Sequence, residues 1–131
     1  VVDPGPLSLG VDYDRTTLET DEVATATVTV TNNTDARLDM ILVDLGIPPG
    51  FDVLREDFQP YIDGGQMQRV DTTGRQIIVY LYGLEAQETL TFSYRLRAGE
   101  PLRAQSPPSV AYLYYEPNAR SEAMPEAFQV E

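Results

Sequence analysis

The sequence predicts an all-β fold, an antiparallel β-sandwich of about seven to nine strands with one short helix. Three observations carry this. Apolar residues alternate with polar ones at period two in several runs, most clearly Ala24, Ala26, Val28 and Val30 interleaved with Thr25, Thr27, Thr29 and Thr31. Turn-forming clusters rich in Gly, Pro, Asn and Asp separate those runs at short intervals. A single stretch, Leu54 to Ile62, has helical spacing instead: Leu54, Phe58, Tyr61 and Ile62 fall at i, i+4, i+7 and i+8.

Taken in order, Val1 to Pro6 reads as a linker, because Pro4-Gly5-Pro6 resists both helix and ladder, and residues 7–131 read as one domain. Leu7, Leu9, Val11 and Tyr13 alternate with Ser8, Gly10 and Asp12, the pattern of a half-buried strand. Thr16 to Asp21 is a connection, and the Thr-interleaved run follows as a long strand. Asn32-Asn33-Thr34-Asp35 supplies turn residues, so this strand and the next, from Leu38, are expected to form a hairpin. In that next strand Met40-Ile41-Leu42-Val43 is apolar at consecutive positions, which requires cover on both faces. Pro48-Pro49-Gly50 ends it. The helical stripe is the candidate for the second cover, with Pro60 shortening, kinking or delaying the helix and Gly64-Gly65 ending it. Met67 to Thr72 and Arg75 to Tyr82 form a hairpin around Thr73-Gly74. Leu90, Phe92, Tyr94 and Leu96 define a strand with one wet face, and Val110 to Tyr115 a last strong one. The tail after Asn118 is polar, with one short strand near Phe128.

Composition narrows function. Twenty-one acidic residues against nine basic ones give a formal charge of -12, which repels nucleic-acid backbones and anionic lipid. No run is long and apolar enough for a membrane span. Zero cysteines and zero histidines remove thiol catalysis, zinc-thiolate sites and the ordinary Ser/His/Asp triad. All nine basic residues are arginine.

Three separated stretches resemble the C-terminal receptor-binding domain of the α2-macroglobulin and complement thioester-protein family. Met40-Ile41-Leu42-Val43-Asp44 leading to Pro49-Gly50-Phe51 is similar to the family's strand that ends in Gly-Phe before its one helix. Ile78-Val79-Tyr80-Leu81 is similar to its aliphatic-Tyr-Leu strand. Pro101-Leu102-Arg103, Pro107, Val110, Tyr112 and Tyr114-Tyr115-Glu116-Pro117 resemble its closing Tyr-x-Tyr-Tyr-Glu signature. The resemblance implies a macroglobulin-like (Ig-like) sandwich and a non-catalytic binding or docking domain of a larger protease-trapping protein. Its implied partners are sister domains, with a protein receptor or a protease beyond them. In animal members the helix presents basic residues to an endocytic receptor; the matching segment here carries Arg55 with Glu56, Asp57, Gln59 and Asp63, and no lysine. Leu113 inside the tyrosine signature and the lack of cysteine fit a bacterial relative, with an extracellular, periplasmic or cell-envelope location.

By the same analogy the outer face of the helix, around Arg55, Glu56 and Gln59, is the partner-binding surface; an ordinary solvated face reads equally well. Tyr80, Tyr82, Tyr112, Tyr114 and Tyr115 would suit an aromatic platform for a sugar or peptide, but tyrosine also fits strands for packing alone, and that reading is preferred. Asp39, Asp44, Asp52, Asp57, Asp63 and Asp71 lack the compact calcium-loop spacing, so no metal residue is assigned, although some family members bind calcium in this domain. No catalytic residue and no cofactor is assigned. Asn32-Asn33-Thr34 matches a glycosylation sequon, read instead as a turn using left-handed backbone. The alternative function is an Ig-like spacer or adhesin module of a bacterial surface protein.

Overall fold

The computed structural model describes residues 6–73, 75–113, 116–123 and 126–131, the strand segment at 116–120 by its backbone alone. Among these residues the chain forms twelve strands: β1 (Leu7–Tyr13), β2 (Thr17–Leu18), β3 (Val23–Asn32), β4 (Leu38–Gly46), β5 (Phe51–Val53), β6 (Met67–Thr72), β7 (Gln76–Leu84), β8 (Thr89–Ala98), β9 (Leu102–Gln105), β10 (Ser109–Leu113), β11 (Glu116–Ala123) and β12 (Ala127–Val130). A 3-10 turn (Arg55–Phe58) runs directly into α1 (Gln59–Asp63).

Two sheets face each other, one ordered β1-β3-β8-β5 and the other β11-β10-β4-β7-β6; a small third sheet, β2-β12-β9, caps one end. Every neighbouring pair is antiparallel except β2 with β12. Period-two alternation decides what fills the interior. β3 turns Ala24, Ala26, Val28 and Val30 inward, and β8 turns in Phe92, Tyr94 and Leu96, against Ile41, Val43 and Leu45 of β4 and Ile77, Val79 and Leu81 of β7; all are buried. This is the all-β sandwich that the alternation predicts. The count exceeds nine because β2, β5 and β9 have two to four residues, too few to show a period.

Several expectations about connections are overturned. β3 and β4 are not a hairpin: β3 has both ladders occupied, by β1 and β8, while β4 lies between β10 and β7 in the opposite sheet. The turn between them is a crossover, organised by the side chain of Asn32 rather than by left-handed backbone. The non-glycine residues with positive φ among those described are Asp21, Met40 and Gln87. Asn32 is fully buried, and its Nδ2 donates to the carbonyls of Ala36 (2.8 Å), Leu84 (3.1 Å) and Glu85 (2.9 Å), tying the end of β3 to the loop after β7. Thr16 to Asp21 holds β2, and the polar tail holds β11 as well as the short strand at Phe128. Tyr114 and Tyr115 lie outside the described residues, as does Gly74; the hairpin it belongs to is borne out, with β6 antiparallel to β7.

The helix also departs from expectation. Leu54 precedes it in extended conformation, and Pro60 sits in the first turn of α1, where its missing N–H costs nothing. It does not cover β4. Phe58, 1% exposed, stacks on Tyr94 at 5.2 Å and approaches Phe92 at 6.4 Å, and Tyr61 meets Phe92 edge-on at 6.0 Å. All of these belong to β8, so the helical segment closes the open side of the sandwich between β8 and β6. The outer face of β4 is left to its own sheet.

Candidate functional site

That outer face is the most distinctive surface of the molecule. Strand register sets Tyr112 of β10, Leu42 of β4, Tyr80 of β7 and Arg69 of β6 in one row across four strands. The next row is Val110, Asp44, Ile78 and Asp71. Leu42 points outward yet is 5% exposed, because strands on both sides place a tyrosine directly opposite it. The Arg69 guanidinium lies 4.3 Å from the centre of the Tyr80 ring, a cation–π arrangement. Met40, Gln68, Arg69 and Tyr80 line a concavity beside this row, and Tyr82, 51% exposed, stands further along β7.

Three features define this surface. Gln76 Nε2 donates to both oxygens of Asp44 (2.8 and 2.7 Å), so the carboxylate is held against the sheet. Burial pushes the Tyr112 hydroxyl above its ordinary pKa, with the charge of Asp44 adding to it, so the ring stays neutral. Met40 adopts φ +54° within β4, a conformation a non-glycine residue holds only where its surroundings impose it. The surface has an apolar, aromatic centre with one arginine and paired or tethered carboxylates around it.

The helix residues expected to bind a partner fall elsewhere. Arg55, Glu56 and Gln59 are all exposed and line one shallow groove with Phe58, Ile62 and Val70, so the expected partner surface is contiguous. Asp57 is turned away from it. Its carboxylate receives Arg95 Nε (2.8 Å), Nη2 (2.8 Å) and backbone N–H (2.9 Å), and the Arg95 side chain holds it below the usual carboxylate range. Asp39, Asp52 and Asp71 pair with Arg37, Arg97 and Arg69 respectively. Among the described residues no three acidic side chains converge as metal ligands would. Asn32 Nδ2, the atom a glycan would need, is occupied three times over, which closes the sequon in the folded chain. Of the tyrosines, Tyr80, Tyr82 and Tyr112 share the outer face. Met40 and Leu42 complete that surface from the run of consecutive apolar residues legible in β4, whereas Arg69 and Gln76 carried no signal of their own, because their meeting with it depends on strand order.

The profile of the A-macroglobulin receptor binding domain matches residues 36–126. No curated protein matches the chain. Among solved structures, native alpha-2-macroglobulin from Escherichia coli, spanning domain MG7 to the C-terminus, superposes with a TM-score of 0.84 at 12% identity, over 98% of this chain and 24% of that one. Salmonella alpha-2-macroglobulin reacted with methylamine gives 0.81 at 15% identity, over 98% and 9%. The full-length major pilin SpaD of Corynebacterium diphtheriae gives 0.66 at 8% identity, over 94% and 34%. The chain thus spans a quarter or less of the macroglobulin chains it resembles, and at these identities the likeness is one of fold. The match over residues 36–126 covers most of the chain and includes the strands that build the aromatic face: this chain belongs to the A-macroglobulin receptor binding domain family.

Proposed function

We propose that residues 7–131 form a non-catalytic docking domain within a larger, protease-trapping alpha-2-macroglobulin-like protein at the bacterial cell envelope, and that the outer face of the five-stranded sheet rests against a sister domain. One observation carries this reading: the Tyr112–Leu42–Tyr80–Arg69 row, an aromatic surface on a sheet face over which no second layer lies among the described residues. Tyr112 and Tyr80 are half-buried, while Arg69 and the neighbouring Tyr82 are exposed, and tyrosine with arginine is the composition enriched at the centres of interfaces. Domains within one chain meet over areas of roughly 600–1,500 Å², which a face of four strands can supply. The groove at Arg55, Glu56 and Gln59, on the flank, stays open for a protein partner outside the parent chain, a receptor or the trapped protease.

The test uses the parent protein. Replacing Tyr80→Ser and Tyr112→Ser leaves both inward faces of the sandwich untouched, so the domain folds but its docking weakens. The expected result is a larger radius of gyration by small-angle X-ray scattering and faster proteolysis between this domain and its neighbours. An unchanged radius, or oxidative footprinting that labels these tyrosines equally in the parent and in the separate chain, overturns the proposal. A parent gene with tandem copies of similar sandwiches in place of a protease-trapping architecture would favour the spacer reading instead.

A further inference from the structure

The helical segment does more than fill the open side of the sandwich. On β8 the amides of odd-numbered residues point away from β3, and β5 pairs with that edge only from Leu96 to Ala98. The next two amides along the edge are met by side chains in place of a strand: Arg95 N–H donates to Asp57 Oδ2 (2.9 Å) and Ser93 N–H to the Tyr61 hydroxyl (3.1 Å). The Arg95 carbonyl accepts from Leu54 N–H (3.0 Å). Thr91 and Thr89 have the same orientation and lie beyond the last of these contacts. An edge of this length with free amides is a template for strand addition, and covering it is one way native sheets stay unassociated.

We infer that the segment Leu54–Tyr61 is a strand surrogate holding the β8 edge closed, and that releasing it creates an edge that takes β8 of a second copy of this chain. The second copy is the occupant the residues favour. Antiparallel pairing about a two-fold axis at Thr91 sets Thr89 of each copy opposite Ser93 of the other. It repeats the hydroxyl pairs β8 already makes with β3, Thr31–Thr89 at 3.1 Å and Thr27–Ser93 at 3.3 Å. It also brings the turn containing Glu85 and Glu88 of one copy toward Arg95 of the other, which release deprives of its Asp57 carboxylate.

The experiment compares the chain with its Asp57→Asn/Tyr61→Phe variant and with the same variant carrying Thr91→Pro. Proline at 91 removes an N–H from the open edge and leaves the β3 ladder intact. The double variant is expected to keep its far-ultraviolet strand signal, to exchange the Ser93 and Arg95 amides about tenfold faster, and to dimerise with concentration in size-exclusion chromatography with light scattering. Thr91→Pro returns it to monomer. Exposed amides in a chain that stays monomeric, or a dimer indifferent to Thr91→Pro, overturns the inference. Should the double variant unfold, Asp57→Asn alone is read by the same two measurements, and unchanged exchange at Arg95 counts against the cap.

Discussion

The chemistry of Tyr94 conflicts with its place: its ring is packed under Phe58, but its hydroxyl is buried without a hydrogen-bond partner among the described residues. Burial, with Tyr13 nearby, pushes its pKa far above the ordinary value, so it stays neutral at any working pH. An unpaired buried hydroxyl costs free energy that phenylalanine would not incur, so Tyr94→Phe should raise stability by about 1 kcal/mol. Urea unfolding measures this, and a loss of stability would show that the hydroxyl has a partner. Asp57 works in the opposite sense. Its pKa is lower folded than unfolded, so its contribution is present above the unfolded carboxylate value of about 4 and disappears as pH falls through the lower folded value. The unfolding free energy measured in urea should therefore exceed that of Asp57→Asn by about 1 kcal/mol at neutral pH, once solvent around Arg95 is allowed for, and should approach it over the window below about pH 4. A gap that stays constant across that window would exclude the Arg95 contact as its source.

Among elements, the helical segment shows how far local pattern reaches. Its apolar stripe was legible, and so was the warning in Pro60, because both act within a few residues. Its target was not: Phe58 could have lain over β4 or beside β8, and only the three-dimensional course of Pro48-Pro49-Gly50 and β5 leads it to the second. Phe58→Ala should cost about 3–5 kcal/mol, the range for emptying a buried aromatic site, and should expose the Ser93 and Arg95 amides to exchange before the rest of β8. If those amides exchange only with global unfolding, the ring does not hold the segment in place. β2, β5 and β9 escaped the reading for a simpler reason. Two to four residues contain too few alternations to distinguish a strand from a loop, and such strands exist because a longer neighbour offers them an edge.

For the whole molecule, the sequence by itself determined the class of the fold, the inward residues of its long strands, the absence of thiol and imidazole chemistry, and the kinship with the macroglobulin receptor binding domains. These follow from alternation, composition and motif, which are local or additive properties. Tertiary structure alone decided which strands pair. It sent β3 and β4 to opposite sheets through the buried Asn32, and it set Tyr112 and Tyr80 on either side of Leu42, so that three unremarkable strand patterns became one aromatic surface. It also put the helical segment on the β8 edge rather than over β4. The physical reason is the same in each case: a strand's own residues fix which side chains face inward, whereas its neighbours are chosen by the lowest free energy of the whole packed sandwich, to which residues far apart in sequence contribute together.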